Sequence, residues 1–91
     1  MQSILQPDGV KECFLTGATD ILEKHHIYPG GLRGVSDANG FWVWLRYDQH
    51  REVQQSADTG KDLYLRRTCQ REYEKTHTRD EFIALIGRSY L

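Results

Sequence analysis

The side chains best suited to chemistry are three histidines: the adjacent pair His25 and His26, and His50 further along the chain. Because imidazole titrates at about pH 6.5, a neutral histidine can accept a proton or give a lone pair to a metal ion near neutral pH. The pair ends a predicted strand and precedes the turn Tyr28-Pro29-Gly30-Gly31. Neighbouring strand residues point to opposite sides, so both imidazoles can border one site only where the strand bends into that turn. The sequence therefore predicts a histidine site at this bend.

The elements that must position the histidines are two strands and a short helix. We predict the first strand over residues 21–27, ended by a proline that cannot donate to a sheet and by glycines that permit positive φ. Residues 32–40 are rich in Gly, Ser, Asp and Asn, which favours a loop. Phe41-Trp42-Val43-Trp44-Leu45 is a run of aromatic and β-branched residues and predicts the second strand. Residues 47–53 suffice for about two helical turns and place His50 directly after that strand.

Two C-terminal helices are predicted to act as scaffold, after an irregular segment at residues 54–60. The first covers residues 61 to 75, where apolar residues follow a helical period. The second begins after Thr78, which forms a capping-box pattern with Glu81, and ends at Gly87. The residues expected on the buried stripes are Leu65, Cys69 and Tyr73 on the first helix and Phe82, Ile83, Leu85 and Ile86 on the second.

The predicted fold is α+β, in one domain over residues 1–91. Residues 1–12 carry turn signals and are expected to form a loose arm or short hairpin. Residues 13–53 form a ββα hairpin-helix unit, and residues 61–91 supply the two packing helices. A 91-residue domain buries only a modest core, so a bound metal ion would be a reasonable stabilising device.

The composition limits the kinds of partner. Twelve Lys and Arg stand against thirteen Asp and Glu, for a net charge of −1, which argues against a protein held on DNA by bulk positive charge. A local patch or a bound ion can still meet phosphate. No apolar run approaches the roughly 20 residues of a membrane span, and the N-terminus lacks a signal pattern. Two distant cysteines, Cys13 and Cys69, are expected to be small buried residues, and we expect a cytoplasmic protein without a membrane partner.

The histidines and their flanks resemble the HNH endonuclease family, and more narrowly a group of small bacteriophage proteins. The resemblance is carried by Leu22-Glu23-Lys24-His25-His26-Ile27-Tyr28, by the Asn-containing loop, second strand and His50 that follow, and by the helix within residues 79–91. It covers most of the chain from Cys13 onward. It implies a ββα-metal fold and hydrolysis of DNA phosphodiester bonds.

The resemblance also implies a role for each histidine. His25 would be a ligand of a catalytic divalent ion, which could be Mg, Mn, Ni or Zn. His26 would be the general base that takes a proton from water, and His50 would complete the metal site. The ion would stabilise the charge that builds on the scissile phosphate and its leaving oxygen.

The chain departs from the family pattern at the asparagine that orients the general base. The family's middle asparagine orients the base and lies at the start of the second strand. Counting back from His50, that position falls near Phe41, and the nearest asparagine is Asn39. We expect Asn39 to take the catalytic orienting role through a shifted loop.

A second departure concerns structural zinc. Many relatives hold a zinc ion with two cysteine pairs. Here Cys13 is followed by Thr16 at the position of the second thiol, and Arg46 and Gln49 stand at the later pair. We therefore predict no structural zinc.

Four arginines are candidate DNA contacts. Arg33 lies in the predicted hairpin loop, and Arg66, Arg67 and Arg71 share a predicted helix. They are expected to meet phosphates, although a solvated helix face is an equally good interpretation for a nearly neutral chain.

Three functions are compatible with these observations. The first is a metal-dependent DNA endonuclease. The second is an inactive HNH-like module of phage origin that engages DNA or a host defence protein, and the third is a structural protein in which the histidines only pack. The pattern leaves the oligomeric state open.

Overall fold

The histidine-bearing strand belongs to a two-stranded antiparallel sheet in a computed structural model that describes residues 1–91. Strand β1 covers Leu22–His26 and β2 covers Trp42–Arg46. In the register His25 faces Val43 and His26 faces Trp42. Because side chains alternate along a strand, the sheet has an inner face with His25 and Val43 and an outer face with His26 and Trp42.

Four helices complete an α+β domain. Helix α1 covers Arg33–Asn39 and follows a 3-10 turn at Gly30–Leu32. Helix α2, Tyr47–Gln55, begins directly after β2. Helices α3, Gly60–Tyr73, and α4, Arg79–Ile86, form the C-terminal part. The predicted hairpin, the helix after it and the two C-terminal helices are all present, and none of the helices is long and apolar enough to cross a membrane.

The prediction of a loop over residues 32–40 was wrong, because most of that segment is α1. The Ser36 hydroxyl is buried and donates to the Tyr28 carbonyl at 2.8 Å, which holds the helix against the end of β1. Gly40 ends the helix with φ of 72°, and a Cβ there would lie 2.2 Å from the Gln2 carbonyl oxygen. Gly, Ser, Asp and Asn favour loops, but the same residues cap and end short helices, so composition alone could not separate the two.

The N-terminal arm is not loose, contrary to expectation. The Ser3 hydroxyl donates to the Trp42 carbonyl, and the Gln6 side-chain oxygen accepts from the Trp44 backbone N–H at 2.8 Å. The backbone N–H of Ile4 donates to the Gly40 carbonyl at 3.0 Å. The arm therefore lies along β2 and satisfies backbone groups that an open sheet edge would expose.

The core lies between the inner face of the sheet and the C-terminal helices. Its centre is an aromatic cluster in which the Tyr28 ring meets the rings of Phe41 and Phe82, each with centroids 5.5 Å apart. The buried apolar residues are Cys13, Ile27, Tyr28, Phe41, Val43, Leu45, Val53, Leu65, Cys69, Phe82 and Ile86.

Helix α4 confirms the predicted capping box but corrects one core assignment. The Thr78 hydroxyl accepts from the Glu81 backbone N–H, and the Glu81 carboxylate accepts from the Thr78 backbone N–H. Phe82 and Ile86 are buried, whereas Ile83 is exposed. One helix turn separates Phe82 and Ile86, while Ile83 is rotated about 100° away from Phe82 and faces outward.

Replacing Phe82 by alanine is expected to destabilise the domain by about 3–5 kcal/mol, because the change removes a fully buried ring and leaves a cavity. Urea or thermal unfolding measures the loss. Ile83→Ala is the matched control on the same helix and should change stability by no more than about 0.5 kcal/mol. Equal effects of the two substitutions would contradict the described packing of α4.

Candidate functional site

A pocket of about 380 Å³ opens where β1 ends, and all three histidines line it. Its wall combines residues from β1, the following turn, α1, α2, α3 and the α2–α3 connection, and only two of the eleven are hydrophobic. The lining residues are Lys24, His25, His26, Pro29, Arg33, His50, Val53, Gln54, Ala57, Asp62 and Arg66. A polar wall with several cations suits a charged ligand more than an apolar one.

His25 and His50 converge, as the sequence predicts. His25 lies on the inner face of β1 with 5% of its surface exposed, and its ring centroid is 5.1 Å from that of His50 at an interplanar angle of 68°. The Nε2 atom of His25 is buried and has no hydrogen-bond partner. Burial, with a smaller contribution from His50, lowers the pKa of His25 to about 4. His25 is therefore a neutral imidazole near pH 7.

His50 is held by a carboxylate. Its Nδ1 lies 2.8 Å from a carboxylate oxygen of Glu23, which stands two residues before His25 on the same side of β1. This contact assigns the proton to Nδ1 and leaves the lone pair of His50 on Nε2, where the Gln54 amide nitrogen lies at 3.3 Å. A carboxylate on the far nitrogen is the usual way in which a protein orients a metal-binding histidine.

His26 lies on the outer face and has a different carboxylate partner. Its Nε2 is 2.9 Å from a carboxylate oxygen of Asp37, and the Lys24 ammonium is 2.8 Å from the same oxygen. Hydrogen bonds from Lys24 and then from His26 lower the pKa of Asp37. With Nε2–H donating to an ionised Asp37, the Nδ1 atom of His26 is the proton-accepting nitrogen.

Asn39 does not contact the histidines. Its amide nitrogen donates to the Val35 carbonyl of its own helix at 2.9 Å, and its side chain lines a separate pocket with Tyr73 and His77. Because residues 33–39 are helical, Asn39 lies about half a turn from Asp37, and Asp37 makes the contact with His26 that we expected of Asn39.

The four predicted arginines divide into two groups. Arg33 and Arg66 line the pocket. Arg66 is mostly buried and forms ion pairs with Asp58 and Asp62, but its Nε has no partner. Arg67 donates to the Tyr90 carbonyl at 2.9 Å, and Arg71 is exposed; neither lines the pocket.

Three acidic residues at the site escaped the sequence interpretation. Glu23 could have been found, since a residue two positions before His25 on a strand shares its side of the sheet. Asp37 required α1 to be recognised as a helix. Asp62 is buried at the pocket wall on α3, far from the histidines in sequence, and nothing in the local pattern marks it.

The residues present fit a divalent ion only in part. His25 offers a buried Nε2 without a partner, and His50 offers a second Nε2 of fixed tautomer. No group of three or more His, Cys, Asp or Glu side chains is arranged to hold a metal ion. An ion at this pocket would therefore have His25 and His50 as its imidazole ligands, and water or substrate oxygens would have to complete the coordination.

Comparisons with family models, curated proteins and solved structures return no significant match for this chain.

The stability of the metal-free protein is expected to fall as the pH is lowered from about 6.5 to about 4, because of His25. Between these values His25 is protonated in the unfolded chain but neutral in the folded chain, so lowering the pH stabilises the unfolded state. Above pH 6.5 the free energy of unfolding is not reduced by His25. The reduction grows as the pH falls and is complete once the pH is below the folded pKa of about 4, where it is on the order of 3 kcal/mol.

Urea unfolding in EDTA at several pH values measures this slope. The His25→Gln variant is the control, because it keeps a polar side chain but has no group that titrates there. If wild type and His25→Gln show equal slopes between pH 4 and 6.5, His25 is not the buried neutral imidazole described.

Proposed function

We propose that this chain is a metal-dependent endonuclease of the HNH type that hydrolyses phosphodiester bonds in DNA. The observation that carries the proposal is the unlike environment of the three histidines around one pocket. The buried Nε2 of His25 has no partner, the Nε2 of His50 meets only the Gln54 amide at 3.3 Å, and the Nε2 of His26 is bound to Asp37. Two potential ligands and one potential base at one pocket are the parts that metal-assisted hydrolysis needs.

His25 and His50 are the residues that would hold the ion. Neutral imidazole is a good ligand for Mn²⁺, Ni²⁺ and Zn²⁺, whereas Mg²⁺ prefers oxygen, so the residues favour a transition metal. When bound, the ion would supply positive charge that polarises the phosphate and stabilises the leaving oxygen. The low pKa of His25 keeps its lone pair free of protons even in mild acid.

His26 acts as the general base in this proposal. The imidazole is partly exposed and has Nδ1 free to take a proton from water, while Asp37 fixes the ring and its tautomer through Nε2. Asp37 also stabilises the imidazolium that forms when the proton is taken. Asp37 is thus a positioning residue in place of the expected Asn39.

Phosphate contacts would come from the cations of the pocket wall. Lys24, Arg33 and Arg66 line the pocket that the histidines share. A chain with a net charge of −1 cannot hold DNA by bulk charge, so a local cluster of this kind is what DNA binding would require.

A second candidate is an inactive HNH-like binding module of phage origin that engages DNA or a host defence protein. The absence of a third metal-ligating side chain favours it, as does Asn39 lying away from His26. This candidate keeps the fold and the pocket cations without turnover.

Supercoiled plasmid incubated with the protein and Mg²⁺, Mn²⁺, Ni²⁺ or Zn²⁺ in turn tests the two candidates. We expect nicking with a transition metal. His26→Ala should lower the rate by about 10²- to 10⁴-fold with metal affinity nearly unchanged, because the base contacts water and not the ion. His25→Ala should instead weaken metal binding in calorimetric titration, and excess Mn²⁺ should restore part of its activity.

His77→Ala is the control, since His77 is exposed at another pocket and should affect neither readout. Loss of metal affinity in His26→Ala but not in His25→Ala would reverse the assigned roles. Wild-type protein that binds DNA but leaves both supercoiled plasmid and circular single-stranded DNA intact with all four ions would favour the inactive module.

A further inference from the structure

The outer face of the hairpin carries both tryptophans of the chain. Trp42 and Trp44 alternate with the buried Val43 and Leu45, so their rings lie on the side away from the core, half-buried. The two rings are in contact, with centroids 5.4 Å apart and planes at 87°. Their alternation with buried residues leaves part of this aromatic surface to solvent.

Two lysines flank the rings. The Lys24 ammonium lies 4.5 Å from the Trp42 ring centroid, and the Lys11 ammonium lies 4.7 Å from that of Trp44. Lys11, Trp44, Trp42 and Lys24 are called the tryptophan strip below. A groove of about 200 Å³ runs between the two tryptophans and the N-terminal arm, with Lys11 in its wall.

The tryptophan strip is continuous with the histidine pocket. In the strand register His26 stands opposite Trp42, and Lys24 stands opposite Trp44. Residues directly opposite on one face of a sheet have Cβ atoms about 5 Å apart. Lys24 also lines the histidine pocket, so a ligand that leaves the pocket past His26 meets Trp42 next.

The few free positive charges of the tryptophan strip favour single-stranded over double-stranded DNA. Lys24 is paired with Asp37, and Arg46 at the far end of β2 is paired with Asp20 and Asp48, which leaves Lys11 as the cation without an ion pair. This weak positive charge offers few contacts to a DNA duplex, because the bases of a duplex are stacked inside and only its phosphates are accessible. An unpaired strand presents base faces as well as phosphates, and aromatic rings beside cations match both.

We propose that the tryptophan strip binds unpaired DNA nucleotides, with a base stacked on Trp42 or Trp44 and a phosphate on Lys11, the cation without an ion pair. The strand next to the pocket is then single-stranded, which makes frayed, gapped or single-stranded DNA the substrate class. The substrate assignment rests on the proposed nuclease function, but the binding site itself does not.

Intrinsic fluorescence tests this site directly, because the only two tryptophans of the chain are both in the strip. In EDTA, a twelve-nucleotide oligo(dT) should quench the emission saturably, and a blunt duplex of equal length should bind at least several-fold more weakly. With Lys11 on one phosphate, log K should fall with log salt with a slope of about −0.7. Tighter binding of oligo(U) than of oligo(dT) would overturn the assignment to DNA.

Variants locate the binding. In fluorescence anisotropy with labelled oligo(dT), Trp44→Ala should weaken binding roughly tenfold or more, as loss of one stacked base does. Lys11→Glu should also weaken binding several-fold, and it removes an exposed side chain that supports no core, so it keeps the test valid if Trp44→Ala unfolds. Tyr64→Ala, at an exposed aromatic residue on α3, is the matched control and should bind normally.

Equal affinity for duplex and single strand, or unchanged binding by both Trp44→Ala and Lys11→Glu, would overturn the proposal. No saturable quenching by oligo(dT) at any concentration would also overturn it. The binding experiment in EDTA does not depend on cleavage. The tryptophan strip can therefore prove not to bind DNA while plasmid nicking is observed, and binding can be observed without nicking.

Discussion

The structure depends on one constraint, the burial of the uncharged His25 ring against His50 on the inner face of the hairpin. The imidazole must stay neutral there, because charging it would place an unpaired cation in a desolvated position beside another histidine. The strand register and the immediate start of α2 after β2 bring the two rings together, and Glu23 sets the tautomer of His50. A buried nitrogen without a partner opposes folding, so the His25 Nε2 is the atom at this site that gains most from a bound ion or water.

The two faces of the hairpin place their histidines in different environments. The inner face buries His25 and joins the aromatic core, which gives the potential metal ligands a rigid backing. The outer face carries His26 with its Asp37 partner and, opposite it, Trp42. The two histidines are adjacent in sequence, so the alternation of side chains along the strand buries His25 and leaves His26 partly exposed to water. Helices α3 and α4 mainly supply the core, apart from Asp62 and Arg66 at the pocket wall.

The parts that the sequence predicts correctly have strong local signals. The second strand follows from an aromatic and β-branched run, α4 follows from its capping box, and the meeting of His25 with His50 follows from the order of the elements between them. Helix α1 was missed because its residue types are those of loops, and Asp37 was missed with it. The N-terminal arm was misjudged for a different reason: Ser3 and Gln6 bond to β2 across 39 and 38 positions, and a local pattern does not report such pairings. Site residues on elements with strong local signals were thus accessible to sequence reasoning. Asp37, on the unrecognised helix, and Asp62, which reaches the pocket only through the tertiary fold, were not.

The central claim, that His25 and His50 form one ion site, is tested most directly by NMR of the histidine ring signals during titration with Mn²⁺. A bound paramagnetic ion broadens the signals of nuclei close to it. If the proposal holds, substoichiometric Mn²⁺ broadens the His25 and His50 signals first, while those of the exposed His77 at the other pocket stay sharp. Equal broadening of all four histidines, or none at His25 and His50 while the protein stays folded, would contradict the account.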